Sequence, residues 1–111
     1  MEERLPAHLE VAGLIRAVQA EGGFATVLAK GEKHAGSILV LTMDRGDNAR
    51  LFERMPQLDG SRRFTCVKSQ DIENALHFSD YLERRRYQDP DIWVIELDIP
   101  NPERFIDVRE P

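Results

Sequence analysis

The chain opens with a hydrophobic pattern that predicts an amphipathic helix over residues 6–21. Its apolar positions recur at the i, i+3, i+4, i+7 spacing of one helical face, and they are Val11, Leu14, Ile15 and Val18. Pro6 suits the first turn of a helix, where its missing N–H has no partner to lose. The glycine pair at residues 22–23 predicts the end of the helix.

Four short segments rich in β-branched, aliphatic and aromatic residues follow, separated by turns that contain glycine. They span residues 24–30, 37–43, 49–55 and 62–68. Connections this short predict an antiparallel meander, because a parallel pair needs a crossover of about a dozen residues or more. The third segment has no cleanly apolar face, so we expect it to lie at an edge of the sheet.

A second helix is predicted from Ser69 to about residue 88, and its last turns carry an arginine run at residues 84–86. Residues 92–99 then alternate as a fifth strand. The order α-β-β-β-β-α-β indicates the α+β class, with a mostly antiparallel five-stranded sheet and two main helices on one face. We expect residues 1–111 to form a single domain.

Composition narrows the classes of function. The 111 residues carry 15 Lys and Arg against 20 Asp and Glu, a net charge of −5. This charge disfavours nonspecific binding to nucleic acids and to anionic membranes. No apolar run approaches the ~20 residues that span a bilayer, and the single cysteine, Cys66, cannot form a disulfide within the chain. We therefore expect a cytoplasmic protein without membrane association.

The nearest thing to a ligand loop is the turn bracketed by Gly31 and Gly36. Two glycines would let backbone N–H groups approach an anion closely. The spacing is not that of a phosphate-binding loop, however, and a strand follows rather than a helix. A hairpin turn with polar side chains in solvent explains the same residues, so both interpretations stay open.

Acidic residues gather where the second helix turns into the last strand. Asp89, Asp91, Glu96 and Asp98 suggest a metal site or acid–base pair, but Glu96 and Asp98 lie about 17–23 Å from Asp91 along an extended strand. We therefore predict no metal and no cofactor. Salt bridges from the two aspartates to the arginine run would fix this corner instead. Trp93 belongs to an apolar alternation, in the core or at the rim of a partner interface.

Four segments of the chain match a known pattern: AGLIR (residues 12–16), GFATV (23–27), GEKHAGSILV (31–40) and YLERRRYQDPDIWVIE (81–96). They resemble domain-of-unknown-function family 1491, small single-domain bacterial proteins found mainly in alphaproteobacteria. The most specific piece is DPDIWVIE after the arginine run, followed by the glycine-bracketed turn. The resemblance covers nearly the whole chain and implies a fold and a lineage, but no assigned activity.

The sequence shows no nucleophile–base pair and no metal constellation, which favours a non-catalytic interaction or regulatory module. It would recognise a protein partner, or a second copy of itself, through a strand edge or the surface around Arg85. The alternative is a binding module or enzyme for a small anionic or phosphorylated ligand, held by arginines and the glycine-bracketed turn. RNA contact through the arginine run is a second alternative, which the acidic net charge opposes. The candidate binding or partner-contact residues are Arg16, Gly31, Gly36, Arg84, Arg85, Asp89, Asp91, Trp93 and Glu96.

Overall fold

The computed structural model describes residues 5–34, 36–56, 62–69 and 77–108. The element order matches the predicted one, and the α+β class is confirmed. The elements are α1 (Ala7–Ala20), β1 (Phe24–Ala29), β2 (Ile38–Asp44), β3 (Asp47–Pro56), β4 (Arg62–Ser69), α2 (His77–Gln88), β5 (Trp93–Asp98) and a short 3-10 helix (Pro102–Phe105). Residues 70–76, where the second helix is predicted to begin, lie outside the described ranges. No helix within those ranges is long and apolar enough to cross a membrane.

The first helix begins and ends where the sequence predicts. Val11 and Val18 are buried on its apolar face. At its end, the N–H groups of Gly22 and Gly23 donate to helix carbonyls at 3.0 Å, and Gly22 has φ +86°. Only glycine adopts this left-handed conformation at little cost, so the glycine pair stops the helix.

The sheet is mixed, with strand order β1-β5-β2-β3-β4. β2, β3 and β4 form an antiparallel meander, as predicted. β5 lies between β1 and β2, antiparallel to the first and parallel to the second. The prediction that the first two strands pair is therefore wrong. The β1–β2 connection lies across the start of β5. β5 lies between β1 and β2 in the sheet, although it follows all the other strands in the sequence.

β3 lies inside the sheet, so the prediction of an edge position for it is wrong. Leu51 and Phe52 are both fully buried, on opposite faces. The charged residues on either side of this pair are accommodated by neighbours. The Arg50 guanidinium lies 5.1 Å from the centre of the Phe52 ring, and Glu53 pairs with Arg85 of α2. A central strand can carry charges when their long stems cover apolar rings and their heads find partners.

The two helices lie on opposite faces of the sheet, and the prediction that both cover one face is wrong. Alternate residues of the central strands belong to two separate clusters of buried side chains. Val40 and Ile95 pack with buried residues of α1, whereas Leu39 and Val94 pack with partly buried residues of α2. Since β2 and β5 are apolar on both faces, each face needs a covering layer.

Candidate functional site

The charged candidates from the sequence do not meet in one cleft. Arg16 is exposed on α1, and Arg84 is exposed on α2, so the sheet separates them. Glu96 alternates with Ile95 along β5 and therefore points to the α2 side, away from Arg16. An anion clamp that combines the helix-1 and helix-2 arginines cannot form across the sheet.

Arg85 is engaged in a structural ion pair. Its guanidinium pairs with Glu53 of β3, and the two side chains are only 23% and 19% exposed. Because α2 meets the sheet at this contact, the pair fixes the position of the helix. Arg85 thus has its carboxylate partner within the chain.

Asp89 and Asp91 build the turn from α2 into β5. The Asp89 carboxylate accepts the backbone N–H of Asp91 at 3.1 Å, and the Asp89 carbonyl accepts the N–H of Ile92 at 3.2 Å. This is an Asx turn, in which the short carboxylate bonds its own chain two residues on. In the described part of the chain neither aspartate pairs with the arginine run. The predicted corner salt bridges are therefore wrong, because the nearer backbone N–H takes the carboxylate.

Gly31 and Gly36 let the β1–β2 connection pack against the start of β5. A Cβ atom on Gly31 would lie 2.2 Å from the carbonyl oxygen of Asp91, and one on Gly36 would lie 2.4 Å from the same atom. The N–H of Glu32 donates to that oxygen at 2.8 Å, and the Trp93 indole donates to the Glu32 carbonyl at 2.7 Å. Trp93 is only 4% exposed, so its ring anchors this connection from inside the molecule.

The same connection covers the start of α1 and brings two histidines together that are far apart in sequence. The backbone N–H of Ala7 donates to the His34 carbonyl at 3.1 Å, and that of His8 to the Lys33 carbonyl at 3.0 Å. The His8 and His34 rings meet edge to face, with centroids 5.9 Å apart. The described ranges contain no group of three or more His, Cys, Asp or Glu side chains that could hold a metal ion.

A cavity of about 540 Å³ lies beside α1 and is closed at one side by an ion pair. Arg54 of β3 binds the Glu10 carboxylate through two contacts, of 3.0 and 2.5 Å. The Arg54 guanidinium also lies 5.0 Å from the centre of the Phe64 ring. Of the charged residues that line this cavity, Arg54 and Glu10 thus satisfy each other, and Asp107 pairs with Arg63.

The far edge of the sheet, formed by β4, is partly covered. The N–H of Phe64 donates to the Asp107 carbonyl at 2.8 Å, and Phe64 forms a parallel bridge with Val108. β4 also carries Arg63 and Lys68. Added chain and charged side chains are the usual means by which proteins prevent pairing at an exposed edge.

The opposite edge, formed by β1, has neither protection. β1 pairs with β5 on one side, and no described residue pairs with it on the other. Its six residues, FATVLA, are all uncharged. Phe24 is 75% exposed, Val27 40% and Leu28 41%. An apolar strand that presents unpaired N–H and C=O groups is the arrangement to which extended polypeptides add.

A bulge limits the flat part of this strand. The register with β5 shifts between Val27 and Ala29, so a bulge bends the strand near Leu28. Residues 24–27 remain regular, and we call them the β1 edge. Within it, Ala25 and Val27 lie on the α1 side of the sheet and Phe24 and Thr26 on the α2 side.

The β1 edge is absent from the candidates that the sequence suggests. The available signal is the charge-free segment at residues 22–29. β2 is equally free of charge over residues 37–43 and lies buried at the centre of the sheet. Composition alone therefore does not separate an open edge from a central strand.

These features define a mixed-sheet α+β protein with helices on both faces, one covered edge and one open edge. The chain belongs to the DUF1491 family, whose profile, described as "Protein of unknown function", matches residues 5–107. The resemblance found in the sequence is thereby confirmed.

Solved structures share this fold. A crystal structure of a DUF1491 family protein from Caulobacter crescentus CB15 is 36% identical, with a TM-score of 0.83, over 96% of this chain and 100% of that one. An NMR structure of a DUF1491 family protein from the same organism gives 36% identity and a TM-score of 0.81, over 98% and 100% of the two chains. The solution structure of a protein from A. tumefaciens is 30% identical, with a TM-score of 0.79, over 98% of each chain. No curated protein matches this chain.

Proposed function

We propose that this protein is a non-catalytic interaction module that binds an extended polypeptide segment by adding it to β1 as a further strand. The observation that carries the proposal is the contrast between the two sheet edges. One is partly covered by the chain itself and bears charges, whereas the β1 edge is uncharged and exposes Phe24. Proteins normally protect an edge of this kind, so an unprotected one indicates a surface that is used.

Strand addition would satisfy both the unpaired backbone groups of the β1 edge and its exposed Phe24 side chain. The added strand supplies partners for the outward N–H and C=O groups of β1, and its side chains cover Phe24. Main-chain hydrogen bonds give affinity in this mode, while the alternating side chains give specificity. A charged residue placed beside Phe24 would lose hydration, and an acidic one would also lie near Asp98 of β5, so a segment rich in β-branched or apolar residues fits best.

Site-specific photo-crosslinking in living cells tests the proposal. A benzophenone amino acid replaces Phe24 in the full chain, and the matched control replaces Tyr87, an aromatic residue that is 91% exposed on α2. We expect protein adducts from position 24 that are absent from position 87. The Thr26→Lys variant should lose these adducts, because a lysine on the edge discourages strand pairing.

The exposed position of Thr26 makes the lysine variant compatible with folding. Far-UV circular dichroism and the melting temperature of the purified variant verify this independently. Equal adducts from positions 24 and 87, or none from position 24, would contradict the proposal.

A second candidate function is the binding of a small anion near the end of α2. Lys30 and Arg86 line one cavity of about 340 Å³ together with Tyr87, and neither cation forms an ion pair with a described residue. Glu83 also lines this cavity and opposes an anion there. Titration with inorganic phosphate, followed by amide chemical shifts, tests this candidate. Shifts confined to residues around Lys30 and Arg86 would support it, and unchanged spectra would exclude it.

A further inference from the structure

We infer that the strand added to β1 is the β1 strand of a second copy of this chain, so that two five-stranded sheets join antiparallel across a two-fold axis. This inference rests on the proposed function and names the partner. Three features of the described residues support it: the composition of the strand, its symmetry, and the charges at its ends.

The composition of β1 matches what the edge requires of its partner. An uncharged partner strand fits best, because a charge opposite the β1 edge would be desolvated beside Phe24, and an acidic one would also lie near Asp98 and Glu96 of β5 on the same face. β1 is itself an uncharged segment of β-branched, aliphatic and aromatic residues in an extended conformation. Because it is already held in that conformation by β5, pairing of two copies requires no ordering of a disordered peptide.

Symmetry restricts the pairing to a few registers. A two-fold axis normal to the sheet keeps each face continuous, so opposite residues must lie on the same face. One residue must then lie on the two-fold axis, opposite the same residue of the second copy. With the bulge near Leu28, the regular edge allows Ala25 or Thr26 as this centre. In the first case Phe24 lies opposite Thr26 of the second copy, and in the second Ala25 lies opposite Val27 of the second copy.

Both registers oppose only uncharged residues. Aromatic with β-branched pairs and Thr with Thr pairs are among the favourable cross-strand combinations. No like charges meet across the join in either case. The contact would therefore be stabilised by main-chain hydrogen bonds together with the burial of Phe24.

The charges at the two ends of β1 are complementary in an antiparallel arrangement. Lys30 follows the strand, is exposed, and forms no ion pair with a described residue. In either register the antiparallel direction carries it toward the turn at residues 21–23 of the second copy, which joins α1 to β1. The last turn of α1 contains no basic residue, and its C-cap Glu21 pairs with Arg104 of the same chain at 2.7 Å. Lys30 would join Arg104 in complementing the helix dipole, and the two-fold axis produces this contact twice.

The oligomeric state of the purified full chain is the first test. Sedimentation equilibrium should show a dimer whose fraction rises with concentration up to about 1 mM, a range that reveals even weak association. Thr26→Lys should weaken the dimer about tenfold or more, because the lysine then lies opposite either its own copy or the Phe24 ring of the second copy, according to the register. Tyr87→Lys is the matched control and should dimerise like the wild type. A monomer throughout, or an equally dimeric Thr26→Lys variant, would overturn the inference.

Cysteine crosslinking tests the register. In a Cys66→Ser background, Ala25→Cys and Thr26→Cys are oxidised separately, with Tyr87→Cys as control. The self-facing position should form a disulfide between two copies. The neighbouring position should not, because its two Cα atoms would be about 8 Å apart, beyond disulfide range. A dimer that crosslinks at neither edge position would use another surface and would refute the inference.

These outcomes separate the inference from the proposed function. A crosslinked adduct of twice the chain mass from position 24 in cells, with a dimer in solution, supports both. An adduct to a different protein, with a monomer in solution, retains the interaction function and rejects the second copy as partner. No adduct together with a monomer rejects both.

Discussion

The carbonyl oxygen of Asp91 is the point at which the β1–β2 connection and the start of β5 meet. It accepts the N–H of Glu32 at 2.8 Å, and it lies so close to Gly31 and Gly36 that neither position has room for a Cβ atom. The glycine-bracketed turn therefore packs against the protein's own backbone. At the scale of single residues, the two segments that most resemble the family are parts of one contact.

A methyl group at Gly31 should destabilise the protein. Gly31→Ala forces its Cβ against the Asp91 carbonyl and the Trp93 ring edge, and overpacking of this kind costs about 1–3 kcal/mol. Gly13→Ala is the control, since a Cβ there has no atom within 4 Å and the residue lies inside α1. It should raise the free energy of unfolding by about 0.5–1 kcal/mol. Urea denaturation measures both, and changes of the same sign would contradict the packing role of Gly31.

The Asp98 carboxylate should stabilise the turn between β2 and β3. Its carboxylate accepts the N–H groups of Arg45 and Gly46, at 2.6 and 3.1 Å. Both turn residues have positive φ, as in the two-residue turns that join twisted strands. Asp98→Ala should lower the free energy of unfolding by about 1–3 kcal/mol, because two donors lose a charged acceptor. Asp98→Asn keeps one acceptor oxygen and should cost less; equal losses from the two variants would contradict this account.

At the scale of elements, the sequence predicts the helix and strand positions that depend on local spacing. It misses the pairing between strands that are far apart in the chain. The i, i+3, i+4, i+7 pattern locates α1 because one helix presents one face to the core. β5 comes near the end of the chain, yet it lies between β1 and β2, which come early in the chain. Rules based on short turns consider only strands that are adjacent in sequence, so they pair β1 with β2 instead. β2 and β5 are covered on both faces because α2 packs on the face of the sheet opposite α1, and local spacing does not predict this arrangement.

The contact between α2 and β3 should show measurable coupling. Arg85 and Glu53 form an ion pair in which both side chains are mostly buried, so solvent screens it less than a surface pair. A double-mutant cycle with Arg85→Met and Glu53→Gln should give a coupling energy of about 1 kcal/mol or more. The matched pair is Arg63 with Asp107, which is 44% and 69% exposed and should give about 0–0.5 kcal/mol. Equal coupling in the two cycles would contradict a structural role for Arg85.

At the scale of the whole molecule, the candidate site arises from an asymmetry that local sequence does not encode. β1 and β2 have similar apolar composition, yet one lies at the edge and the other at the centre. The difference depends on the arrangement of the complete sheet, in which Asp107 and Val108 cover part of β4 and no described residue pairs with the outer side of β1. Two of the charged residues that the sequence singles out, Arg85 and Asp89, make contacts within the fold.

If two copies join at β1, thermal stability should depend on protein concentration. A dimer that unfolds to separate chains is stabilised by mass action, and for chains of this size the melting temperature rises by about 3 °C per tenfold increase in concentration. Differential scanning calorimetry of the wild type between about 5 and 500 μM should show this rise. Thr26→Lys should show a smaller rise over the same range, because a smaller fraction of its chains is dimeric at each concentration. Tyr87→Lys, which leaves β1 intact, should follow the wild type, and a wild-type melting temperature independent of concentration would argue against pairing at this edge.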